Sequence, residues 1–598
     1  MSLPFAFLAG LFVVVGNCEL GDVLPGEGVL DDLIWTSCLL VLPWALAALA
    51  RSTAARALLT ARPAPVSPRL LLRLSALATP LVLHAVFALG AYGDWIDRIA
   101  PGSHALRVAL ALLPLYAVEL PRLAASTWAE ALVEVGFGAR PPLPVSPMFL
   151  PRWGDVRGLV RFRYGWPLLV LAPALLYGVG ADLLALWRPA FVFVLASAAG
   201  MSLAAMVFLV LVAAALPWWF RVAFGVARQF PEPAGEMLRE TAARLEFSPQ
   251  RLFVLHTGER AVNAMMVGPL PTGRLLCFTD GLLNALDPRS LTGVLAHEVG
   301  HARMGHPGTL ALLGFVVPVM LLSPLRLLDD GGGDGLALGV GMLGLLLLVW
   351  LALQALARRF EHEADVVSVR VLGAEPCSRA LRAVTRTTLP TRTSLRSRFM
   401  SFHPDERARL ETMKRYEQDL EFRARFDRGS VRLRRVLALA VAIAVAVGVS
   451  SWALDWPRER VLVSFYRGDF VGARRSLEAA GELPPRWQET MTRIEEQLDA
   501  ADQLQPGLED WESVERALVP RAWQRGEEVL LAEGPAAAHR WFTLAVTAMP
   551  SVSTTERAIH EYCAAAAAQD PDRVLRLGRI VLRRGAPQTL REVFRGYQ

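Results

Sequence analysis

The stretch His297-Glu298-Val299-Gly300-His301 determines which fold this chain is expected to adopt. It follows Asp287-Pro288, a candidate N-cap and first helical residue, so the sequence predicts a helix over 288–306. Residues four apart share a helical face, and the imidazoles of His297 and His301 can therefore bind one metal ion. Glu298 can take a proton from a water molecule that the metal activates. Because a five-residue pattern also arises by chance, the prediction requires a third ligand.

The composition is typical of a membrane protein. Hydrophobic residues make up 53% of the 598 residues and charged residues 20%, and the mean hydropathy is +0.36. Such values are rare in a soluble protein of this length, so several membrane spans are predicted. The net charge of +6 comes from arginines beside apolar runs, which indicates membrane orientation and argues against nucleic-acid binding. The five cysteines include no C-x-x-C pair, which argues against a disulfide framework or a thiolate zinc site.

Nine apolar runs are candidate membrane spans. The first has no basic segment and no clear cleavage site, so it is expected to be a retained span rather than a signal peptide. Acidic and arginine-rich loops alternate between the first six runs, which predicts an N-terminus in the cytoplasm. The predicted spans are 3–16, 32–50, 70–92, 105–119, 166–187, 190–216, 308–325, 336–357 and 436–454.

The first long soluble stretch, 221–307, is expected on the cytoplasmic side. It begins with an amphipathic helical pattern at Pro231–Phe247 and ends with the helix that carries the two histidines. Short β-like runs between them lie at 251–256, 262–267 and 274–279. Mixed strands followed by a zinc-binding helix predict a compact α+β peptidase domain.

A candidate third ligand follows a predicted membrane hairpin at 308–357. Two crossings return the chain to the same membrane face, where it continues as Arg358-Arg359-Phe360-Glu361-His362-Glu363-Ala364-Asp365. Glu361 and Asp365 are four apart and share a helical face, while Glu363 points away. One carboxylate could bind the metal, and the other could hold a ligand histidine through its second ring nitrogen. The alternative interpretation is a charged, solvated helix end.

These residues resemble the M48 class of membrane-embedded gluzincin peptidases, which includes the CAAX prenyl endopeptidases and the bacterial heat-shock protease HtpX. The resemblance covers about 230–415 and is carried by HEVGH, the two following spans and the segment Arg359–Asp365. Further matches are Asn263-Ala264, Thr279-Asp280-Gly281-Leu282-Leu283, His403-Pro404 and Arg409-Leu410. Val366 and Val367 depart from the small residues that the family has after its Ala-Asp pair.

The resemblance implies one Zn²⁺ per chain and a role for eight residues. They are the zinc ligands His297, His301 and Glu361, the general base Glu298, the partner of a ligand histidine Asp365, the substrate-edge residue Asn263, and His403 and Arg409, which support the active site or the transition state. His306 is expected not to bind zinc, because Met304 and Pro307 occupy the positions where a three-histidine zinc pattern has glycine and histidine. His256 is a weaker candidate for lining the cleft.

The region 457–598 is alanine-rich and helical in pattern. Parts of it resemble tetratricopeptide-type (TPR-like) hairpins without a clean 34-residue period, so degenerate repeats and an unrelated helical bundle are both open. It has no catalytic set and is expected to bind a substrate or a protein partner outside the cytoplasm.

The sequence therefore predicts a mainly α-helical polytopic membrane protein with about nine spans, a small α+β gluzincin peptidase domain and an α-helical C-terminal domain. It is expected to be a zinc endopeptidase of a bacterial inner membrane, with its active site facing the cytoplasm. Membrane or membrane-associated proteins are the expected substrates, in quality control or processing. A transmembrane sensor of metallopeptidase type and a non-catalytic scaffold are the alternatives. The predicted segments are 1–220 (membrane), 221–307 (peptidase, first part), 308–357 (membrane hairpin), 358–432 (peptidase, second part), 433–456 (membrane span) and 457–598 (helical, outside).

Overall fold

The computed structural model describes most of the chain from residue 39 onward. The described residues are 39–594 without 61–65, 89–91, 93–95, 97–98, 101, 138–152, 260, 327–334, 388–403, 482, 549–553 and 584–592. Helices dominate them, and three short strands form one sheet. The helices before the sheet are α1 (Val41–Thr60), α2 (Pro68–Ala88), α3 (His104–Phe137), α4 (Trp153–Ala185), α5 (Arg188–Ala196), α6 (Ala198–Phe224) and α7 (Ala234–Arg244).

The sheet and the helices that follow it make up the middle of the chain. The strands are β1 (Leu252–Leu255), β2 (Ala264–Val267) and β3 (Leu275–Thr279). The helices are α8 (Asp280–Ala285), α9 (Pro288–Met304), α10 (His306–Ala311), α11 (Val317–Arg326), α12 (Gly335–Leu372), α13 (Ala374–Thr387), α14 (Glu406–Gln418) and α15 (Leu420–Tyr466).

Several helices have the length and composition of membrane spans. Six of them pass this test, and a bent pair of helices with a 54° break passes it as one unit, so the described residues contain six or seven candidate spans. The six are Pro68–Phe87, His104–Val133, Val156–Ala185, Ala198–Phe224, Leu343–Leu372 and Leu420–Tyr466, and the bent pair is Pro288–Met304 with His306–Leu321. About nine spans are predicted from the sequence, and the first predicted run, 3–16, lies outside the described residues.

Two predicted spans differ from the structure. The described end of 32–50 belongs to α1, which is not among the candidate spans, because Arg51 and Arg56 lower the hydropathy of its second half. The run 190–216 is not one helix, because the backbone at Ser197 is extended, with φ −138° and ψ 142°. The Ser197 hydroxyl accepts a hydrogen bond from the Gly200 N–H at 3.0 Å and so caps α6.

The sheet connects the helix α9 to a membrane helix. Its order is β1-β3-β2, with β1 parallel and β2 antiparallel to β3, so β2 is an edge strand. Side chains alternate across β3: Leu276 and Phe278 pack in the core that includes Leu291 and Leu295 of α9. Leu275 and Cys277 pack on the other face with aromatic residues at the end of α6. The predicted strands thus agree with the observed ones within two residues.

The C-terminal helices are joined to the rest of the chain by α15. This helix has 47 residues and is about 70 Å long at 1.5 Å per residue. Val461 and Phe465 near its end are buried in the core of the C-terminal helices. Those helices are α16 (Phe470–Ala479), α17 (Pro485–Leu504), α18 (Trp511–Ser513), α19 (Val519–Ala532), α20 (Pro535–Ala548), α21 (Thr554–Ala567) and α22 (Pro571–Arg583).

Candidate metal centre

The helix α9 presents His297 and His301 from consecutive turns. Its first turn is capped by Asp287, whose Oδ1 accepts hydrogen bonds from the N–H groups of Arg289 and Ser290 at 3.0 and 3.1 Å. A hydrogen bond from the Ser290 hydroxyl at 2.6 Å, with those backbone bonds, lowers the pKa of Asp287 below its ordinary value. The helix ends at Gly305, which has a left-handed φ of 73°. The predicted start of this helix is confirmed.

Three side chains converge on one point beside α9. The Nε2 atoms of His297 and His301 are 3.3 Å apart. The Oε2 and Oε1 atoms of Glu361 lie 3.5 Å from the Nε2 atoms of His297 and His301, respectively. Tetrahedral zinc with ligands at 2.0–2.1 Å places its donor atoms roughly 3.3 Å apart, so these separations fit a zinc ion. Among the described residues, these three form the one group of at least three potential metal ligands.

Glu361 reaches this point because α12 passes very close to α9. A Cβ atom built on Gly300 would lie 2.9 Å from the carbonyl oxygen and 3.0 Å from the Cα of Ala364. Only glycine therefore fits where the two helices touch. Val299 beside it is buried in the core under the sheet. These two central residues of HEVGH do more than set the spacing of the histidines: they fix the position of α9 against its neighbours.

Asp365 and Arg409 hold the outer side of His297. The Nδ1 atom of His297 is 2.9 Å from Asp365 Oδ1, so the other ring nitrogen, Nε2, faces the ligand cluster. Arg409 of α14 donates two hydrogen bonds to the same carboxylate, at 2.8 and 2.7 Å, and its Nη1 lies 3.1 Å from Glu361 Oε2. Burial alone would lower the pKa of Arg409, but its bonds and proximity to Asp365 outweigh burial and raise that pKa. Arg409 therefore carries a permanent positive charge beside the cluster.

A cavity of about 1100 Å³ opens in front of the three ligands. Glu298 lines it, as does Asn263 immediately before the edge strand β2. Apolar side chains from α9 and α13 form another part of its wall, and Pro307 and Leu310 of α10 also line it. The apolar lining residues include Met266, Leu282, Val294, Ala380, Leu381 and Val384. His256 is not among the lining residues, and His403 lies outside the described residues.

Two residues that the sequence analysis set aside lie directly behind this cluster. His306 is buried, and its Nδ1 atom is 3.0 Å from Nδ1 of His301, on the far side from the ligand atoms. Glu363 points away from Glu361, as predicted, and its Oε2 atom lies 3.2 Å from Nε2 of His306. The one sequence signal for this contact was the position of His306 directly after Gly305. The turn at Gly305 ends α9, and the next helix begins at His306, which brings its side chain back toward His301. His362, which follows Glu361, is half-buried.

Arg274, which no sequence pattern singled out, supports the end of α9. This buried arginine lies in β2–β3 hairpin sequence just before β3, and its guanidinium donates hydrogen bonds to the carbonyl oxygens of Ala302 and Pro269. Burial lowers the pKa of its guanidinium below the ordinary value. The side chain ties the last turn of α9 to the sheet.

The fold and this cluster define a class of protein: a membrane protein with an HExxH-type candidate metal centre completed by a glutamate from a later helix. Residues 234–417 match the model of peptidase family M48, so this segment of the chain is similar to that family. It is similar to protease HtpX homologues of Pyrobaculum calidifontis (28% identical over 180 residues; 28% of this chain, 51% of the relative) and Pseudarthrobacter chlorophenolicus (30% over 178 residues; 28% and 61%).

The similarity is confined to part of each relative. A third HtpX homologue, from Archaeoglobus fulgidus, is 25% identical over 174 residues, which are 28% of this chain and 50% of the relative. The chain thus spans about half to three fifths of the length of these curated relatives. Among solved structures, S. mikatae Ste24p matches with a TM-score of 0.36 and 16% identity, covering 64% of this chain and 98% of that one.

Proposed function

We propose that this chain is a zinc-dependent integral-membrane endopeptidase that cuts membrane or membrane-proximal proteins. The observation that carries the proposal is the convergence of His297, His301 and Glu361 at the wall of a cavity that also contains Glu298. The match of residues 234–417 to the model of peptidase family M48 and the similarity to HtpX protease homologues support it. Protein quality control or processing is the proposed role, with the active site on the cytoplasmic face of a bacterial inner membrane and residues 457–598 outside.

In this proposal His297, His301 and Glu361 hold one zinc ion, which supplies Lewis acidity toward a water molecule and a peptide carbonyl. Glu298 follows the first ligand histidine and faces the same cavity. Its carboxylate takes the proton of the attacking water and then delivers it to the leaving amine. Asp365 and Arg409 keep the His297 ring oriented while this happens. Support of the developing oxyanion is proposed for His403 from the sequence alone.

The substrate is proposed to bind as an extended strand along β2. This strand is the edge of the sheet and residues 262–266 line the cavity, so a peptide can add to it by main-chain hydrogen bonds. On its other side, the backbone of Asn263 is bonded to Thr279, with an N–O distance of 3.0 Å in each direction. Those bonds fix the start of β2, and the Asn263 side chain lines the cavity. Asn263 is therefore proposed to orient a bound peptide.

The membrane-proximal choice of substrate rests on the cavity wall. Pro307 and Leu310 lie in the segment His306–Leu321, which together with α9 is long and apolar enough to span a membrane. Arg358 of α12, another candidate membrane helix, lines the same cavity. If both helices enter the bilayer, as we propose, the cavity is accessible to protein segments at or near the bilayer surface. Prenylated substrates are not required by any of these residues.

The test is the Glu298→Gln variant of the full-length protein. We expect it to retain zinc at one ion per chain by metal analysis and to lose turnover of an unfolded membrane-protein substrate by at least about 100-fold, since the general base is removed. Glu240→Gln, at an exposed glutamate of α7, is the matched control and should leave turnover unchanged. Retained turnover in Glu298→Gln would contradict the proposed function.

A second candidate function, a transmembrane sensor of peptidase type, is favoured by one observation. The helix α15 is continuous from the Arg359 contact beside the metal centre to the core of the C-terminal helices. At that end Glu459 accepts a hydrogen bond from the Ala198 N–H at 2.8 Å, and the Arg188 guanidinium stacks on Trp511 at 3.2 Å. A partner that binds residues 457–598 and changes the turnover rate would distinguish the sensor from a constitutive peptidase.

A further inference from the structure

Behind the metal centre lies a buried pair, His306 and Glu363, that has no place in the catalytic steps above. Both residues are about 2% exposed. His306 contacts the second ligand histidine, His301, through their Nδ1 atoms at 3.0 Å, and it contacts Glu363 through Nε2 and Oε2 at 3.2 Å. The three groups therefore form a continuous chain that ends on the ligand.

The direction of each hydrogen bond in this chain follows from the donor atoms. The Nε2 atom of His301 faces His297 and Glu361, so it is the nitrogen that has to be unprotonated to bind a metal. The ring proton of a neutral His301 then resides on Nδ1, which donates to Nδ1 of His306. With that nitrogen as the acceptor, a neutral His306 has its own proton on Nε2 and donates it to the Glu363 carboxylate. With one proton per ring, both nitrogens of His306 and the Nδ1 atom of His301 have a hydrogen-bond partner.

The pair is held rigidly from two sides. The ring of His306 lies parallel to that of Phe360, with centroids 4.1 Å apart and an interplanar angle of 5°. The Oε1 atom of Glu363 is 3.4 Å from Nε of Arg359. Arg359 in turn bonds to Ser430 Oγ at 2.9 Å and lies over the ring of Phe426, at 3.9 Å, on α15. Neither His306 nor Glu363 can turn away without breaking these contacts.

We infer that His306 and Glu363 are positioning residues that hold the ligand His301 in the tautomer and ring orientation that bind the metal. The two ligand histidines are thus held differently: His297 directly by a carboxylate, Asp365, and His301 by a carboxylate acting through a second imidazole. A hydrogen bond to the outer nitrogen of a ligand histidine increases its basicity and fixes its orientation. The inference rests on the proposed zinc site and adds to it the residues that orient the ligand His301.

The experiment compares three forms of full-length protein by zinc affinity, measured by competition with a chromophoric chelator, and by the visible spectrum of the Co²⁺-substituted form. His306→Phe keeps the stacking on Phe360 but removes both hydrogen bonds. His306→Asn loses the stacking but keeps an acceptor oxygen near the position of Nδ1. His539→Gln, at a partly buried histidine of α20, is the matched control and should match the wild type.

We expect zinc affinity to fall by about 10- to 100-fold in His306→Phe, with a changed Co²⁺ spectrum, and to fall less in His306→Asn. A role in packing alone gives the opposite order, because phenylalanine fills the site and asparagine does not. Wild-type affinity and spectrum in His306→Phe would overturn the inference. If that variant does not fold, Glu363→Gln and Glu363→Leu are compared instead. The amide oxygen of glutamine still accepts a hydrogen bond from His306 and leucine does not, so zinc affinity should be higher in Glu363→Gln. Equal zinc affinity in the two variants would also overturn the inference. Glu375→Gln, at an exposed glutamate, is their control.

These outcomes are separate from the test of the proposed function. Turnover by Glu298→Gln would refute the peptidase mechanism and leave the metal-affinity result for His306 intact. Unchanged metal affinity in His306→Phe would refute the positioning role and leave the peptidase proposal intact.

Discussion

Replacement of Gly300 by alanine tests whether the contact between α9 and α12 builds the metal centre. The added Cβ would be 2.9 Å from the Ala364 carbonyl oxygen, whereas ordinary contacts begin near 3.4 Å. The helices therefore have to separate by about 0.5 Å, the difference between these two distances, and Glu361 lies one turn before Ala364 on the moving helix. A displacement of about 0.5 Å is the limit that a catalytic constellation tolerates, and about 1 Å can cost about 100-fold in rate.

The effect of Gly300→Ala on stability is the sum of two opposing contributions. Overpacking costs about 1–3 kcal/mol, and the better helix propensity of alanine returns about 1 kcal/mol. We therefore expect a net loss of about 0–2 kcal/mol in the free energy of unfolding, but a drop of about 10-fold or more in zinc affinity and turnover. The site should thus be damaged more than the fold.

The assays are zinc competition, turnover and thermal unfolding of full-length protein in the same detergent. Gly344→Ala is the control, because a Cβ on this glycine of α12 would meet nothing within 4 Å. Adding Ala364→Gly to Gly300→Ala should not restore activity, since the clash is with backbone atoms of residue 364. If Gly300→Ala binds zinc and turns over substrate as the wild type does, the close helix contact does not position Glu361.

Two further predictions concern charged groups. Arg409→Lys replaces two hydrogen bonds to Asp365 by a single point charge, so we expect turnover to fall about 10- to 100-fold. Arg407→Lys, at an exposed neighbouring residue, is the control and should leave turnover unchanged. Equal turnover in the two variants would refute the role of Arg409. Burial, with the nearby His539, lowers the pKa of His560 to about 4, so the unfolded chain binds one more proton than the folded chain between about pH 6.5 and 4. The C-terminal helices should therefore lose up to about 3 kcal/mol as the pH falls through this window, seen as a lower melting temperature at pH 5 than at pH 7. His560→Gln should reduce that difference, and the neighbouring His539, whose pKa burial also lowers, accounts for part of what remains.

Local patterns predicted the elements of the peptidase segment well. Asp287-Pro288 marked the start of α9, and the β-like runs correspond to β1, β2 and β3, because capping and strand alternation depend on neighbouring residues. The spans were predicted less well. The run 190–216 is uniformly apolar, but its helix is broken at Ser197, where the Ala198 N–H bonds to Glu459, 261 residues further along the chain. A hydropathy profile averages over neighbouring residues and therefore cannot predict a contact with a residue that is distant in sequence.

The sequence by itself predicted the chemistry of the candidate site: two histidines one turn apart, an adjacent glutamate, and a later E-x-x-x-D on a helix that is expected to return to the same membrane face. Each of these follows from the 3.6-residue period of a helix and from membrane crossing, which are local properties. Only the tertiary structure decided between Glu361 and Asp365 as the group facing both histidines, because that depends on how α12 rotates where it meets Gly300. Only the tertiary structure also showed that His306 contacts the candidate ligand His301 and that Glu363 contacts His306. These contacts depend on the turn at Gly305 and on the crossing of α12 near α9, and neither can be read from one stretch of sequence.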